Sequence, residues 1–288
     1  MTRLQQFLVL FVRSFGGVAP SLAGRALSFL WFRVTKFRPH TKREHWISQS
    51  LRYEVPHRGK AFNIYVRKPG TPAKGQVLLL HGWSGRWDQL LNIGDALLSE
   101  GFEVLSFDLP AHGENPGTDS DVFEFSELLT SVYATLQLKA PILICHSMAF
   151  LTFSHAHGQK KLPFSKLVTI SSPSSFEYLI EQFREAVGFS KKLDAELWKA
   201  VERRVRVPDA KTQLKASHMS SIPSERVLII HDKNDQQVKC SETGSLKKIW
   251  PEASLFLTSG QGHNRILSNQ DVIARIAAFC QEGSLTNL

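Results

Sequence analysis

The chain has 288 residues, and its 42% hydrophobic and 21% charged content is ordinary for a globular protein that can bury a substantial core. The length suits one large α/β domain with an insertion, or two small domains. The formal net charge of +9 lies within residues 1–60, because the charges of the remainder cancel. A body without a basic face argues against nucleic acid as a partner.

Residues 1–45 form a basic leader in which no acid precedes Glu44. Its first apolar residues have helical spacing: Leu4, Phe7, Leu8 and Phe11. No apolar run is long enough to span a bilayer, and Arg13 interrupts the run that most resembles a signal peptide. We expect a helical arm that docks on the core or on a partner chain. The alternatives are an amphipathic anchor on an anionic membrane surface and an organelle transit peptide, for which serine is scarce here.

Strands and helices alternate through most of the remaining chain. The apolar run at 76–80 is typical of a central parallel strand that is buried on both faces. The other predicted strands are 51–55, 62–67, 104–107, 141–146, 166–170, 226–231 and 255–257. The predicted helices are 87–99, 121–138, 147–157, 241–250 and 272–279. Short connections between these elements predict the α/β class, with a mostly parallel, doubly wound sheet.

The alternation breaks between Ser171 and Pro223, where two amphipathic helices replace it. One contains Phe176, Leu179, Ile180 and Phe183, and the other contains Leu193, Leu197 and Val201. We therefore divide the chain into a helical leader (1–45), a core (46–171 and 225–288) and a helical cap insertion (172–224). Most apolar side chains of the cap are expected to pack, but some must face the site if the cap covers it.

Ser147 follows a short buried strand and precedes a second apolar run, which indicates a strand, a tight turn and the start of a helix. A serine at such an elbow can be a nucleophile, although serines after strands are often helix caps. The residues two before and two after the serine pack closely in an elbow, and the usual pattern has glycine at both. Here these positions hold Cys145 and Ala149, which are small but not glycine.

Three functional groups follow three apolar strands: Ser147, Asp235 and His263. The carboxyl ends of parallel strands share one edge of a sheet, where ligands bind. Serine becomes a good nucleophile when an imidazole takes its proton, and the imidazole needs a buried carboxylate to fix its tautomer. Asp232 is the alternative acid, but its position directly after the strand fits this role less well.

This order of Ser, Asp and His resembles the α/β-hydrolase fold family of serine hydrolases, over about residues 50–280. The matching segments are His81-Gly82, the 108–113 loop, the turn around Ser147, Asp235 with Val238, and Gly262-His263. Ala111, like Cys145 and Ala149, stands where the family pattern has glycine.

The resemblance implies a nucleophile at Ser147, an orienting acid at Asp235 and a general base at His263. It also implies an oxyanion hole built from the backbone N–H groups of Trp83 and Met148. We expect the supporting loop at His81 and Gly82 to be braced by hydrogen bonds of His81. His112 and His146 are interpreted as structural residues.

Cofactors and metals are not expected, because no His or Cys pair has ligand spacing and no Gly-rich phosphate loop is present. The three cysteines are odd in number and lie in or beside apolar runs, which is typical of reduced, buried thiols. We therefore expect a cytoplasmic protein, with peripheral contact to the inner face of a membrane through residues 1–45 as a further hypothesis.

The predicted function is a serine hydrolase that cleaves a carboxylic ester, of the carboxylesterase or lysophospholipase kind. Its partner would be a small-molecule ester or an acyl lipid, and the apolar cap favours a medium-length acyl or aromatic group. Two alternatives stay open: a thioesterase, amidase or acyltransferase that uses the same three residues, and a binding module in which they are idle. A serine rather than an aspartate at position 147 disfavours dehalogenase and epoxide hydrolase chemistry.

Overall fold

The computed structural model describes residues 3–282. The strands are Leu51–His57 (β1), Lys60–Arg67 (β2), Gln76–Leu80 (β3), Glu103–Phe107 (β4), Ile142–His146 (β5), Leu167–Ile170 (β6), Val227–Asp232 (β7) and Ser254–Thr258 (β8). The helices are Arg3–Phe15 (α1), Pro20–Phe32 (α2), Arg43–Ser48 (α3), Leu91–Ser99 (α4), Val122–Thr135 (α5), Ala149–Lys160 (α6), Phe176–Val187 (α7), Asp194–Val205 (α8), Ala210–Gln213 (α9), Glu242–Ile249 (α10), Gly262–Arg265 (α11) and Gln270–Gln281 (α12). Short 3₁₀ turns complete these elements, one of them directly before α4.

The eight strands form a single sheet in the order β1-β2-β4-β3-β5-β6-β7-β8. The pairs β1–β2 and β2–β4 are antiparallel, and all later pairs are parallel. The parallel strands β3 and β5 lie side by side, with Leu80 opposite Cys145. Their carboxyl ends therefore meet at one edge, and the predicted α/β class with a mostly parallel sheet is confirmed.

Buried apolar clusters cover both faces of the sheet. One cluster joins alternate strand residues such as Leu78 and Leu143 to α5 and α6, and the other joins Val77 and Ile144 to α4 and α12. Because both faces are covered, β5 and β7 are buried along their whole length. This is the physical reason why the central strands are continuous apolar runs. The short helices α3, α9 and α11 were not predicted, since one or two turns carry too little periodicity to be recognised.

The residues between β6 and β7 are helical, as the break in the alternation predicts. The helix α7 begins where the Ser175 hydroxyl accepts a hydrogen bond from the Tyr178 N–H, and it ends at Gly188, which has a left-handed backbone with φ +76°. The helix α8 follows, and the two helices present apolar side chains to each other and to the leader.

The leader packs on these cap helices. A third apolar cluster joins Val12 and Leu27 of the leader to Ile180, Leu197 and Val201 of α7 and α8. The contact of α2 with α8 is close, because a Cβ on Gly24 would lie 2.7 Å from the main-chain oxygen of Glu196. Within the chain, the surface on which the leader packs is thus formed by the cap helices rather than by the sheet.

A bulkier residue at Gly24 should separate the leader from the cap. In Gly24→Val the new side chain would collide with the backbone of α8, and such overpacking costs about 1–3 kcal/mol. We expect a lower melting temperature and faster proteolytic cleavage near residues 16–42. Gly17→Val is the matched control, because a Cβ on Gly17 meets no atom within 4 Å. Equal protease sensitivity of the two variants would contradict this packing.

Candidate active site

Ser147 lies in the turn between β5 and α6, with a left-handed backbone of φ +56°. L-residues rarely adopt this conformation, so the surrounding contacts must hold it. The Ser147 N–H donates to the Ile170 carbonyl of β6 at 2.8 Å. The residues two before and two after the serine are small. Cys145 is fully buried in the core beneath the turn, and Ala149 is the first residue of α6.

The 81–85 loop, which follows β3, approaches Ser147 from the neighbouring strand. A Cβ built on Gly82 would lie 2.8 Å from the Ser147 Cβ and 3.3 Å from its hydroxyl oxygen. Glycine is therefore required at position 82 for the loop to pass this close to the serine.

Two histidines hold this loop in place. The His81 Nε2 atom accepts a hydrogen bond from the Leu109 N–H at 3.1 Å, so its Nδ1 atom is the donor to the Gly82 carbonyl at 2.8 Å. The His112 Nε2 atom accepts from the Ser84 N–H at 2.8 Å, and its Nδ1 atom donates to the Pro110 carbonyl at 2.8 Å. Both rings act as neutral braces, and burial lowers the pKa of His81 to about 4 and that of His112 to about 3.

The 108–115 loop supplies His112 and the Leu109 N–H group that bonds to His81. The Asp108 carboxylate accepts a hydrogen bond from the Trp87 N–H at 2.9 Å. Gly113 has φ +52°, and a Cβ there would overlap the Asp108 carboxylate, which explains the glycine. Ala111 has φ +62°, so it occupies a left-handed position where glycine would be unstrained.

His263 and Asp235 form a close pair at the carboxyl edge of the sheet. The His263 Nδ1 atom lies 2.7 Å from the Asp235 Oδ2 atom, and both residues are at least nine-tenths buried. The other carboxylate oxygen of Asp235 accepts hydrogen bonds from the N–H groups of Gln237 and Val238 at 2.8 and 3.0 Å. This arrangement fixes the imidazole tautomer with the proton on Nδ1, which leaves Nε2 as an acceptor.

Opposing effects act on the pKa of Asp235. Burial alone would raise it, but the hydrogen bond and charge of His263, together with the two main-chain N–H donors, outweigh burial and lower the pKa. The carboxylate is therefore ionised while it faces the imidazole. A second buried histidine, His231, lies nearby. Its Nε2 atom is 3.7 Å from the Asp235 Oδ2 atom and 2.9 Å from the Val238 carbonyl oxygen.

Asp232 does not contact His263 and has a different set of partners. Its carboxylate accepts hydrogen bonds from the Thr258 hydroxyl at 2.7 Å and from the Asn234 and Gln261 N–H groups at 2.9 and 3.0 Å. These bonds outweigh burial and lower the pKa of Asp232 to about 2. Asp232 thus joins the loop after β7 to the loop after β8, which carries His263.

His146 packs beneath His263. Its ring centroid is 4.8 Å from that of His263, and its Nε2 atom lies 3.0 Å from the His263 carbonyl oxygen. Burial is the main reason why the pKa of His146 falls to about 3, so the ring is neutral. His146 holds the backbone of His263 while the Asp235 carboxylate holds its side chain.

Ser147 and His263 line the same cavity, which has a volume of about 450 Å³. Met148 and Trp83 line it as well, so the structure gathers all of the predicted site residues except Asp235, His81 and Gly82 at its wall. Of these three, Asp235 contacts His263 and Gly82 approaches Ser147, while His81 is hydrogen-bonded to Gly82.

The leader contributes a wall of this cavity that the sequence did not reveal. Its lining residues are Leu30, Trp31, Phe32, Arg33, Thr35 and Phe37. The Trp31 ring also packs edge-on against Phe176 and Phe183 of the cap, at centroid distances of 5.2 and 5.0 Å. The Trp31-Phe32 pair at the end of α2 was the available signal, but an apolar pair alone does not distinguish a cavity wall from core packing.

The leader is also hydrogen-bonded to the loop beside Ser147. The Trp83 indole N–H donates to the Arg33 carbonyl at 3.1 Å, and the Thr35 N–H donates to the Ser84 hydroxyl at 3.0 Å. The position of this loop therefore depends on a segment that precedes the sheet in the chain.

The chain has the α/β-hydrolase fold, and residues 77–149 match the model of the Alpha/beta hydrolase family. The resemblance expected from the sequence is thus confirmed. Over 94 residues the chain is 33% identical to Protein ABHD14A of Danio rerio. This match covers 31% of the chain and 32% of that protein, so the similar region is about a third of either.

Solved structures share the fold across most of the chain. Est1E from Butyrivibrio proteoclasticus has a TM-score of 0.63 at 17% identity, with 80% of this chain and 98% of that chain covered. An esterase of Pyrococcus furiosus has a TM-score of 0.63 at 20% identity, covering 86% and 98%. The thioesterase domain from the curacin biosynthetic pathway has a TM-score of 0.53 at 15% identity, covering 80% and 98%. At these identities the likeness shows the fold, and the function must be argued from the site.

The buried histidines predict a loss of stability in acid. The unfolded chain binds a proton at each histidine near pH 6.5, whereas folded His81 does so near 4 and folded His112 and His146 near 3. The unfolded state therefore binds more protons in this window, and the free energy of unfolding should fall as pH drops from 6.5 to 4. Each histidine contributes a slope of roughly 1 kcal/mol per pH unit.

Asp108 opposes this trend, because burial raises its pKa from 3.8 to about 6 and the folded state binds the extra proton there. One carboxyl offsets one histidine, so a net loss is still expected in urea titrations between pH 6.5 and 4. His146→Gln should make the slope shallower by roughly 1 kcal/mol per pH unit, and a slope that His146→Gln leaves unchanged would refute the neutral state of this ring.

Proposed function

We propose that the protein is a serine hydrolase of carboxylic esters that acts through an acyl-enzyme on Ser147, with His263 as general base and Asp235 as the orienting acid. The observation that carries the proposal is the 2.7 Å contact between the His263 imidazole and the buried Asp235 carboxylate, beside a strained serine at the wall of one cavity. The family match at 77–149 and the esterase neighbours agree with this chemistry.

In the proposed mechanism the Ser147 hydroxyl oxygen attacks the ester carbonyl carbon while the His263 Nε2 atom takes its proton. The charge of Asp235 stabilises the imidazolium, which then protonates the leaving alcohol as the acyl-enzyme forms. Water enters, His263 takes a proton from it, and the resulting attack releases the carboxylic acid and restores Ser147.

The developing oxyanion would be met by the backbone N–H groups of Trp83 and Met148. Within residues 3–282, the hydrogen bonds of the structure include none from either group, so both donors are available to a ligand. Loss of one such donor typically costs about 3 kcal/mol of barrier. The fixed loop at 81–85 supports this role, because preorganised donors need no rearrangement during the reaction.

The shape and lining of the cavity support an ester with an apolar acyl group. Its walls include apolar side chains from the leader and the cap, among them Trp31, Leu179, Phe183 and Val205. Such side chains bind an alkyl or aromatic group through burial of apolar surface.

Ser147→Ala should abolish covalent labelling by a fluorophosphonate probe and lower turnover of p-nitrophenyl esters by about 10⁶-fold, as in other serine hydrolases that lose the nucleophile. The melting temperature should stay close to that of the wild type, because the change removes only the hydroxyl oxygen and keeps the Cβ atom that the left-handed turn already accommodates. Wild-type labelling at Ser147 would exclude the binding-module alternative. Persistent turnover in the variant would overturn the mechanism, and a preference for acyl thioesters over oxygen esters would assign the same site to a thioesterase.

Asp235→Asn and Asp232→Asn separate the two candidate acids, which lie three residues apart. The first variant should lower kcat by about 10⁴-fold, because an amide cannot hold the imidazole tautomer or stabilise its charge. The second removes a carboxylate that binds Thr258 and Gln261, so it should mainly lower stability. Equal kcat losses in the two variants, measured well below their melting temperatures, would contradict the assignment of Asp235.

A further inference from the structure

Exposed apolar side chains are concentrated in the leader. Eight of the large hydrophobic residues exposed to solvent lie within its first 37 residues: Leu4, Phe7, Leu10, Phe15, Val18, Leu22, Phe29 and Phe37. The other four exposed ones among residues 3–282 lie on the edge strands β1 and β8: Leu51, Tyr53, Leu255 and Leu257. Such a concentration is typical of an interaction site, because monomeric proteins rarely expose large apolar patches.

The helix α1 has two apolar faces, and packing within the chain uses only one of them. Val12 is buried in the apolar cluster that the leader shares with α7 and α8. Leu4, Phe7 and Phe15 follow the i, i+3, i+11 spacing of a different stripe, and they are exposed by 54%, 63% and 58%. Of the residues that predicted α1, Leu4 and Phe7 face outward, whereas Leu8 and Phe11 pack against the cluster shared with the cap.

The exposed stripe continues across the turn into α2. Val18, in the turn, is 87% exposed, and Leu22, Arg25 and Phe29 share the outer side of α2 at i, i+3, i+7 spacing. We call the exposed faces of α1, the turn and α2 the outer face of the leader.

The segment that carries the outer face is basic, although Glu196 of α8 approaches α2 at the Ser21 hydroxyl, at 3.4 Å. Arg3, Arg25 and Arg38 are exposed, and no acid occurs before Glu44. The bases Arg13, Arg33 and Lys36 donate to uncharged oxygens of Val187, Thr118 and Asn115, so these contacts leave their charges uncompensated. An apolar face with a basic border is complementary to an interface in which hydrocarbon lies beneath anionic headgroups.

The last turn of α2 and the residues that follow it connect the outer face to the cavity that holds Ser147. Phe37 is 56% exposed and also lines the cavity, as do Leu30 and Trp31 from the last turn of α2. A surface that bound the outer face would therefore lie close to the cavity wall.

We propose that the outer face of the leader docks on the surface of an anionic lipid bilayer. The exposed aromatic and aliphatic side chains enter the boundary between headgroups and acyl chains, and Arg3, Arg25 and Arg38 contact lipid phosphates. The helices lie parallel to the surface, since none of those within residues 3–282 combines the length and apolar character needed to cross a membrane. The leader thus serves two partners, with its inner face on the cap and its outer face on the lipid.

The test is co-sedimentation of the full chain with vesicles of phosphatidylcholine, with and without phosphatidylserine. We expect binding to the mixed vesicles that weakens as salt is raised. The variant Phe7→Ser/Phe15→Ser/Val18→Ser should lower the partition coefficient by about tenfold or more, because these side chains supply the buried apolar area. The matched control is Leu255→Ser/Leu257→Ser, which removes exposed apolar residues of β8 and should leave partitioning unchanged.

A charge variant tests the second half of the proposal. Arg3→Gln/Arg25→Gln should weaken binding to phosphatidylserine vesicles by about fivefold for each arginine, with little change on phosphatidylcholine alone. Each variant is compared with the wild type well below its own melting temperature, because Leu255 and Leu257 are only 42% and 38% exposed and Phe15 stacks on Phe11 at 6.0 Å.

Three outcomes would overturn the proposal. The first is no vesicle binding by the wild type, and the second is equal binding by the wild type and the triple serine variant. The third is a dimer in sedimentation velocity that the triple variant loses while vesicles capture neither protein, which would assign the outer face to a second copy of the chain. Because partitioning is measured without any ester, the result is independent of the proposed reaction.

Discussion

The close approach of the Gly82 backbone to Ser147 is the constraint on which the site depends. A left-handed serine between β5 and α6 is strained, and it is held by a hydrogen bond to β6 on one side and by the 81–85 loop on the other. The loop in turn is positioned by two neutral histidines that are locked in one tautomer by main-chain partners. The low pKa values of His81 and His112 keep these rings neutral, and the loop needs this because a protonated ring could no longer accept the hydrogen bonds.

The carboxyl edge of the sheet uses its two aspartates for different purposes. Asp232 faces the loops and accepts hydrogen bonds from the segment that precedes His263, whereas Asp235 faces the His263 ring itself. His146 holds the carbonyl of the same residue from below. A histidine that is fixed at both backbone and ring loses little freedom when it acts, which is what the proposed proton transfers require.

The leader connects the cap, the cavity and the exposed surface. Its inner face fills an apolar cluster with α7 and α8, and its last turn and the following residues line the cavity and bond to the Trp83 loop. Gly24 allows the backbones of α2 and α8 to approach closely. The absence of a side chain at this position therefore helps to fix the end of α2, which lines the cavity. The proposed lipid contact on the outer face would place this wall beside the bilayer.

The sequence by itself determined the order of strands and helices, the parallel sheet and the positions of Ser147, Asp235 and His263 after three strands. These features follow from local apolar runs and turns, which each segment carries independently of the others. Tertiary structure decided what local patterns cannot contain: the 2.7 Å contact of His263 with Asp235 and not with Asp232, the tautomers of His81 and His112, and the face of α1 that is buried. The sequence of a helix with two apolar faces does not determine which face will be buried. In α1 that depends on side chains more than 150 residues away in the chain, since Val12 packs in one cluster with Ile180 and Val187.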